Sequence, residues 1–334
     1  METPNIATFD PKLSSSTKKF GCDNPICRSI HGTQSTCQDC KPGPDSNCTE
    51  SCPGYSLEYG SGFTKGTLLS ETLTFGDTTI PNLVVGCSDF SINIPAGIAG
   101  FGRDPPSLPS QLGLRKFSHC FLSRRFNDTT KSSPLVLYSG SDSDDKDEEI
   151  DGISYTPLLR NPNFSTFYYV ELNNITVGGK DVEIPENYLL MRSDGNGGAI
   201  MDSGTAFTFL EKRIYEKVIG EIDNQVAHYR RVDDVEKSVK LCPCYEVPKE
   251  KAPFPKLGFN FKGGAKMDLP EVNTFWFIDN NDTRVACLAI VSGDGSGPIS
   301  GGPSVILGNF QQQNFYVEYD LKNERLGFRQ QDCN

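Results

Sequence analysis

The sequence lacks long apolar segments, has few histidines and carries no excess of basic residues. None of its apolar runs approaches the roughly 20 residues that a membrane-spanning helix needs. Its 43 acidic residues outnumber its 32 lysines and arginines, and the resulting formal net charge of −11 argues against nucleic acid or an anionic membrane as the partner. Its three histidines include none at zinc-ligand spacing. We therefore expect no membrane span, no nucleic-acid partner, no metal and no cofactor.

The first residues lack the features of a secretory signal peptide, although other features point to the secretory pathway. The opening, residues 1–6, has neither a basic n-region nor an apolar h-region. The chain nevertheless has twelve cysteines, which with so few histidines favour disulfides over a zinc or redox role for Cys37-x-x-Cys40. Five glycosylation sequons begin at Asn47, Asn127, Asn163, Asn174 and Asn281. The simplest expectation is a secreted protein whose true N terminus is missing.

Composition and periodicity predict a mainly β chain in two domains. The 32 glycines and 22 prolines favour many short strands and turns over a helix bundle. A hairpin is predicted where residues 55–59 alternate and a glycine-rich turn follows. One amphipathic helix is expected from Glu211 onward, in the second domain. The acidic run at 141–149 is interpreted as a solvated linker rather than a calcium or basic-partner site, so the domains span residues 1–150 and 151–334.

An apolar run that leads directly into a carboxylate is the clearest chemical signal. Residues 199–201 predict a short buried strand, and Gly204 allows a tight turn just after it. Asp202 would then lie at the mouth of this turn, among backbone N–H groups and the hydroxyls of Ser203 and Thr205, an environment that can hold a reactive carboxylate. The alternative is an ordinary strand end at which Asp202 caps the turn.

Two segments of the chain resemble each other and suggest a duplicated architecture. Residues 97–101 and 305–310 are each read as an apolar strand that ends in a glycine, at Gly100 and Gly308. Applied to Asp202, the spacing of 208 residues between these glycines places the counterpart of this aspartate upstream of Met1. The pattern therefore predicts two similar lobes, of which the first lacks its carboxylate.

At this point the sequence resembles the pepsin-type aspartic endopeptidases of the plant, nepenthesin-like kind. The segment Asp202-Ser203-Gly204-Thr205 matches the second catalytic motif of that family, and Tyr59-Gly60-Ser61-Gly62 matches the flap that closes over substrate. Residues 305–310 match the strand that threads the C-terminal loop, and the resemblance runs from about Phe9 to Cys333. It implies a bilobal, pepsin-like acid-protease fold with an incomplete N-terminal lobe.

The resemblance also implies a chemistry and the residues that carry it. Asp202 would be one of two catalytic aspartates, Ser203, Gly204 and Thr205 would support its loop, and Tyr59, Gly60 and Ser61 would form the flap. The substrate would be a polypeptide, cleaved at acid pH by a monomer that works outside the cell, in the cell wall or in the vacuole. The N-terminal Asp-Thr-Gly-Ser of the family has no counterpart here, so the chain is expected to be truncated and inactive as given.

The family resemblance leaves two further questions open. In relatives a disulfide joins the part of the C-terminal lobe that here holds Cys287 and either Cys242 or Cys244, and Cys333 would tie the tail to one of the lobes. The alternative function is a non-catalytic binding protein with the pepsin fold, similar to the plant inhibitors of microbial xylanases. The intact motif at Asp202 and the tyrosine at position 59 count against this alternative, because a pure binder does not need them.

Overall fold

The computed structural model describes residues 9–19, 21–32, 51–60, 62–76, 78–94, 96–123, 132–139, 151–249, 253–279, 283–293 and 302–333. The predicted linker at 141–149 lies outside these residues, as do Ser61, Asn47, Asn127 and Asn281. The chain divides into two compact units, Met1–Gly113 and Leu114–Asn334. The boundary predicted at residue 150 does not coincide with this division, because two strands before it, at Lys116–Cys120 and Leu135–Tyr138, pair into the sheet of the second unit.

The first unit is built around a three-stranded antiparallel sheet. Its strands are β1 (Tyr55–Tyr59), β2 (Gly62–Phe75) and β3 (Thr78–Ile92), in that order, which confirms the predicted hairpin. Its helices are α1 (Pro25–His31) and α2 (Leu108–Gln111). Asn24 caps α1 by accepting a hydrogen bond from the N–H of Ile26, and Ser107 caps α2 in the same way from Ser110. A small core of buried residues comprises Cys27, Cys52, Tyr55, Leu68 and Val84.

The second unit contains a ten-stranded sheet, which carries the segment around Asp202. Along the chain its strands are β4 (Lys116–Cys120), β5 (Leu135–Tyr138), β6 (Ser154–Leu159), β7 (Tyr168–Val170), β10 (Ala199–Met201), β11 (Thr208–Glu211), β18 (Ile290–Gly293), β19 (Val305–Leu307), β20 (Phe315–Asp320) and β21 (Arg325–Gln330). In space they follow the order β18, β11, β19, β10, β7, β6, β21, β20, β4 and β5.

Two four-stranded sheets complete the second unit. Their strands are β8 (Leu172–Val177), β9 (Lys180–Asp181), β12 (Arg230–Arg231), β13 (Cys244–Val247), β14 (Leu257–Phe261), β15 (Lys266–Leu269), β16 (Phe275–Asp279) and β17 (Arg284–Leu288). One sheet has the order β15, β14, β8, β9 and the other the order β12, β13, β17, β16. The helices are α3 (Glu186–Leu189), α4 (Lys212–Gln225), α5 (Asp233–Val239), α6 (Glu271–Thr274) and α7 (Asn309–Gln312), with a 3₁₀ turn at Lys262–Gly264.

Helix α4 is the amphipathic helix that the apolar spacing predicted. It buries Ile214, Val218 and Ile222 at intervals of four residues, and these side chains form its inward face. Among the described residues, none of the helices combines the length and the apolar character that a membrane crossing requires.

Three disulfides join described residues. Cys27 bonds to Cys52 in the first unit. In the second unit Cys244 bonds to Cys287, so Cys244 rather than Cys242 is the partner of the pair that the resemblance left open. The last described pair, Cys120 with Cys333, fastens the tail to β4 within the second unit.

The apolar segment at 97–101 is not a strand, and this prediction was wrong. Gly97 and Gly100 are exposed, and no described strand pairs with this segment. The matching segment in the second unit, β19, is a strand because β10 and β11 pair with it on both sides. The sequence pattern is similar in both units, but among the described residues only the second unit supplies the neighbouring strands.

Candidate active site

Asp202 lies where a buried strand gives way to a tight loop. Residues 199–201 form β10, whose three side chains are fully buried, and the chain then turns back into the sheet as β11. Strand β19 lies between these two strands, parallel to β10 and antiparallel to β11. The loop that carries Asp202 therefore crosses over the carboxyl end of β19.

Both oxygens of the Asp202 carboxylate accept a hydrogen bond from the loop itself. The N–H of Gly204 donates to Oδ1 at 2.8 Å, and the hydroxyl of Thr205 donates to Oδ2 at 2.6 Å. The side chain is half-buried, with Ser203 and Gly204 exposed beside it. These contacts orient the carboxylate through both of its oxygens while the side chain stays partly accessible to solvent, which is what a reactive carboxylate requires. Gly204 and Thr205 thus contact the carboxylate, whereas Ser203 makes no described contact with it; that these three residues support a catalytic loop stays a prediction.

The segment after β19 closes under the Asp202 loop through main-chain hydrogen bonds. The N–H of Asn309 donates to the carbonyl of Thr205 at 2.7 Å, and the N–H of Phe310 donates to that of Ala206 at 2.9 Å. The side-chain amide of Asn309 also reaches the carbonyl of Ser203, at 3.4 Å. Two N–H groups of the first turn of α7, which have no partner within the helix, thus bond to loop carbonyls.

Gly308 is the point at which the two chain segments cross. A Cβ atom built there would lie 2.5 Å from the carbonyl carbon of Phe207 and 2.8 Å from the nitrogen of Thr208. Both contacts are shorter than van der Waals distance, so only glycine allows the crossing. The Gly308 N–H also donates to the hydroxyl of Thr208, at 3.1 Å.

Buried amides anchor the same region, and sequence reasoning did not identify them. Gln311 accepts a hydrogen bond from the N–H of Thr208, and its amide donates to the carbonyls of Asn273 and Ala289. Asn273, itself buried, donates to the carbonyls of residues 310, 311 and 313. Positions 273 and 311 are distant in sequence, so no local pattern could have shown that they meet.

Aromatic side chains lie beneath the strand that carries the carboxylate. Tyr319 stacks on Phe117 with ring centroids 4.5 Å apart and meets Tyr168 edge-on at 4.5 Å. Burial, followed by the neighbouring Tyr168 and the charge of Asp202, raises the pKa of Tyr319 well above its ordinary value. Tyr319 therefore stays neutral.

The predicted flap residues belong to the first unit. Tyr59 ends β1 with 37% of its surface exposed, and Gly60 occupies the turn that follows. Ser61 lies outside the described residues. The assignment of these three residues to a flap stays a prediction.

Of the five glycosylation candidates, the structure describes two. Asn163 is exposed, and its amide donates to the carbonyl of Asp194 at 2.7 Å. Asn174 is half-buried within β8, where its amide donates to Asp181 and its oxygen accepts from Asn260. A glycan on Asn163 would displace one hydrogen bond, whereas one on Asn174 would disturb a side-chain network.

One group of metal-ligand residue types stands close together in the first unit. Ligand atoms of Cys27, His31 and Cys52 lie within 4.8 Å of one another. Both sulfurs are joined in the disulfide, and the imidazole meets the carbonyl of Pro53 at 3.1 Å. The proximity of these residues is therefore explained by a disulfide and a neighbouring hydrogen bond.

Comparison with known families matches both halves of the chain. Residues 2–137 match the family described as xylanase inhibitor N-terminal, and residues 167–330 match the one described as xylanase inhibitor C-terminal. The unmatched interval contains the predicted linker at 141–149.

Three plant proteins similar to this chain are named as aspartic proteases. The chain is 31% identical to the probable aspartyl protease At4g16563 of Arabidopsis thaliana, over 96% of this chain and 72% of that protein. It is 33% identical to aspartic proteinase nepenthesin-2 and 32% identical to nepenthesin-1, both of Nepenthes gracilis, over 97% of this chain and 68% of each.

Solved structures share the fold at lower identity. Basic 7S globulin from soybean aligns with a TM-score of 0.70 and 19% identity, over 96% of this chain and 84% of that chain. Conglutin gamma from lupine seeds aligns with a TM-score of 0.67 and 21% identity, over the same shares. These similarities confirm the mainly β fold; at such low identity they show the fold alone and not the activity of this chain.

Proposed function

Because the chain belongs to the plant aspartic-proteinase family that includes the nepenthesins, we propose that it is the Asp202-bearing part of an aspartic endopeptidase. The observation that carries this proposal is the carboxylate of Asp202, held through both oxygens by its own loop and only half-buried. The substrate class is polypeptide. Three described disulfides support passage through the secretory pathway, which a mass decrease of the secreted protein on deglycosylation would check.

The proposed reaction needs a second carboxylate, as pepsin-type proteases themselves illustrate. Two facing aspartates share one proton, so that the ionised one draws a proton from water while the protonated one donates a hydrogen bond to the scissile carbonyl. Asp202 is in the only Asp-Thr/Ser-Gly-Thr/Ser segment of this sequence. We place the second aspartate outside this sequence, beside the segment at 97–101, which corresponds to β19 but has no strand partner among the described residues.

In the proposed reaction the residues of this chain have separate roles. The Gly204 N–H and the Thr205 hydroxyl hold the carboxylate of Asp202 in one orientation, in which it would act on water and the peptide. Tyr59 at the end of β1 would cover the bound peptide as the flap. Without the second carboxylate no acid is present to polarise the carbonyl, so the chain alone is expected to be inactive.

The test compares the chain as given with one extended by the coding sequence upstream of Met1. Each is assayed at acid pH on a fluorogenic peptide with a hydrophobic pair at the scissile bond, with Asp202→Asn as the matched control. We expect cleavage by the extended chain alone, lost on Asp202→Asn by a factor of about 10³ or more. Cleavage by the short chain that depends on Asp202 would refute the need for a second carboxylate, and cleavage unaffected by Asp202→Asn would refute its role.

The family descriptions favour one second candidate, a non-catalytic inhibitor of glycoside hydrolases. Both matched families are described as halves of xylanase inhibitors, and a binding protein would need no second aspartate. Titration of a microbial xylanase with the folded chain distinguishes the two. Stoichiometric inhibition that persists in Asp202→Asn would support the inhibitor, whereas an upstream Asp-Thr-Gly-Ser motif together with unaffected xylanase activity would support the protease.

A further inference from the structure

Gln312 is bound to the same carbonyl oxygen as the main chain of Asp202. The carbonyl of Leu307, at the end of β19, accepts the N–H of Asp202 at 3.0 Å and the side-chain amide of Gln312 at 2.9 Å. Gln312 is fully buried. The amide therefore fixes the acceptor that sets the position at which Asp202 leaves β10.

Gln311 performs the equivalent task on the other side of the loop. Its side-chain oxygen accepts the N–H of Thr208, the first residue of β11, at 2.7 Å. Its amide nitrogen donates to the carbonyls of Ala289 at 2.8 Å and Asn273 at 3.0 Å. Gln312 thus shares the Leu307 carbonyl on β19 with the N–H of Asp202, and its neighbour Gln311 holds the start of the strand that follows the loop.

Of the two polar groups in the Gln312 side chain, only the amide N–H donor makes a hydrogen bond among the described residues. Its side-chain oxygen is buried and, among the described residues, accepts no hydrogen bond. A buried acceptor without a partner costs free energy. Leucine would avoid that cost but would also leave the Leu307 carbonyl without its side-chain donor. The hydrogen bond to Leu307, rather than packing, therefore explains why a polar side chain occupies this buried position.

We propose that Gln311 and Gln312 are positioning residues for Asp202, an inference that rests on the proposed function for the role of that aspartate. They touch neither the carboxylate nor a substrate and act through the main chain of the loop. Gln312 bonds the end of β19, to which the N–H of Asp202 is also bonded, and Gln311 bonds the start of β11, so the two amides together fix both ends of the loop that carries the carboxylate.

Substitution of Gln312 by glutamate separates this positioning role from packing. A protonated carboxyl group has the shape of the amide and carries an O–H that can donate to Leu307. Once ionised it only accepts, and it repels the carbonyl. The variant should therefore keep the contact at acid pH and lose it as the glutamate ionises, at a pH that burial raises above the usual range. Gln312→Leu lacks the donor at every pH.

The experiment measures hydrogen exchange of the peptide that covers residues 199–208, by mass spectrometry between about pH 4 and pH 9, corrected for intrinsic exchange rates. We expect Gln312→Leu to lower its protection about tenfold throughout, and Gln312→Glu to match the unsubstituted chain at acid pH and lose about tenfold after ionisation. Gln225→Glu is the matched control, because that exposed amide also donates to a carbonyl, of Val177, on another element.

Each result either supports or overturns the positioning role. Unchanged protection in Gln312→Leu would overturn it, as would a loss in Gln312→Glu that does not vary with pH or that spreads evenly over the second unit. If Gln312→Leu fails to fold, Gln312→Glu at acid pH still provides the comparison. The exchange readout needs no catalysis, so absence of cleavage in the extended chain would refute the proposed function without deciding this inference.

Discussion

His119 is a buried titratable residue whose ring meets no polar partner in the described part of the chain. It lies on β4 with 5% of its surface exposed, stacked on Phe121 at 4.0 Å and near Tyr319. Neither ring nitrogen makes a hydrogen bond within the described residues. Burial lowers the pKa of His119 from 6.5 to about 3. The folded chain therefore keeps this imidazole neutral at a pH where the unfolded chain would protonate it.

His119 should make the second unit less stable against unfolding in acid. The pKa is lower in the folded state, so the unfolded state binds more protons below pH 6.5 and stability falls as the pH drops toward 3. Between pH 7 and pH 4 the loss attributable to His119 is on the order of 3 kcal/mol. His119→Phe should remove this loss and leave stability at pH 7 equal or higher, as measured by urea unfolding at both pH values.

A matched control for that substitution is His228→Gln, at an exposed histidine on the same unit. It should leave the difference between pH 7 and pH 4 as large as in the unsubstituted chain. An equal drop on acidification in the His119→Phe variant would show that other groups cause it. The effect bears on the proposed function, because an endopeptidase that is active in acid would have to stay folded despite this loss of stability.

At the scale of elements, the arrangement of β10, β19 and β11 depends on one glycine. Gly308 lies where the chain leaves β19 and passes the start of β11, and the atoms nearest a new Cβ belong to the main chain of residues 207 and 208. Main chain held in a sheet cannot rotate away as a flexible side chain would. A methyl group at position 308 would therefore displace the Asp202 loop.

Gly308→Ala should lower the free energy of unfolding of the second unit by about 1–3 kcal/mol, the usual cost of overpacking. Gly220→Ala gives a control of opposite sign. Gly220 lies on the exposed side of α4 and a Cβ there meets nothing within 4 Å, so alanine should stabilise the helix by about 1 kcal/mol. Denaturant unfolding of both variants checks the pair, and a neutral result for Gly308→Ala would contradict the crossing geometry.

The local sequence pattern predicted those elements that depend only on residues close together in the chain. The buried strand β10, its turn and helix α4 follow from apolar spacing and a glycine, and the hydrogen bonds of Asp202 join residues only two and three positions apart. Short helix α5 was not predicted, although three acidic residues occupy its first turn, as the helix dipole favours.

What local pattern could not show is which distant segments meet. The segment at 97–101 has the composition of β19 but, among the described residues, lacks its neighbours, and a strand forms only where hydrogen-bonding partners exist. The choice of Cys244 over Cys242 rests on its position directly opposite Cys287 in the register of β13 and β17. The support from Gln311 and Asn273 likewise depends on contacts 38 positions apart.

At the scale of the whole molecule, each compact unit has its own core and its own disulfides. The first unit also has its own acid-sensitive group, Glu71, whose side chain is buried and accepts hydrogen bonds from the hydroxyls of Ser14, Ser16 and Thr17. These donors, Ser16 foremost, lower the pKa of Glu71 from 4.5 to about 2. Its contribution to stability is thus complete above pH 4.5 and is lost as the pH falls toward 2.

Calorimetry should therefore resolve two unfolding transitions that respond to different substitutions. Glu71→Gln should lower the midpoint of the transition of the first unit at pH 6 and flatten its pH dependence between about 4.5 and 2, because a neutral amide attracts the three hydroxyls less and does not titrate there. Gly308→Ala should lower only the other midpoint. If both variants shift one common transition, the units unfold as a single cooperative body, and the independence inferred from their separate cores and disulfides is wrong.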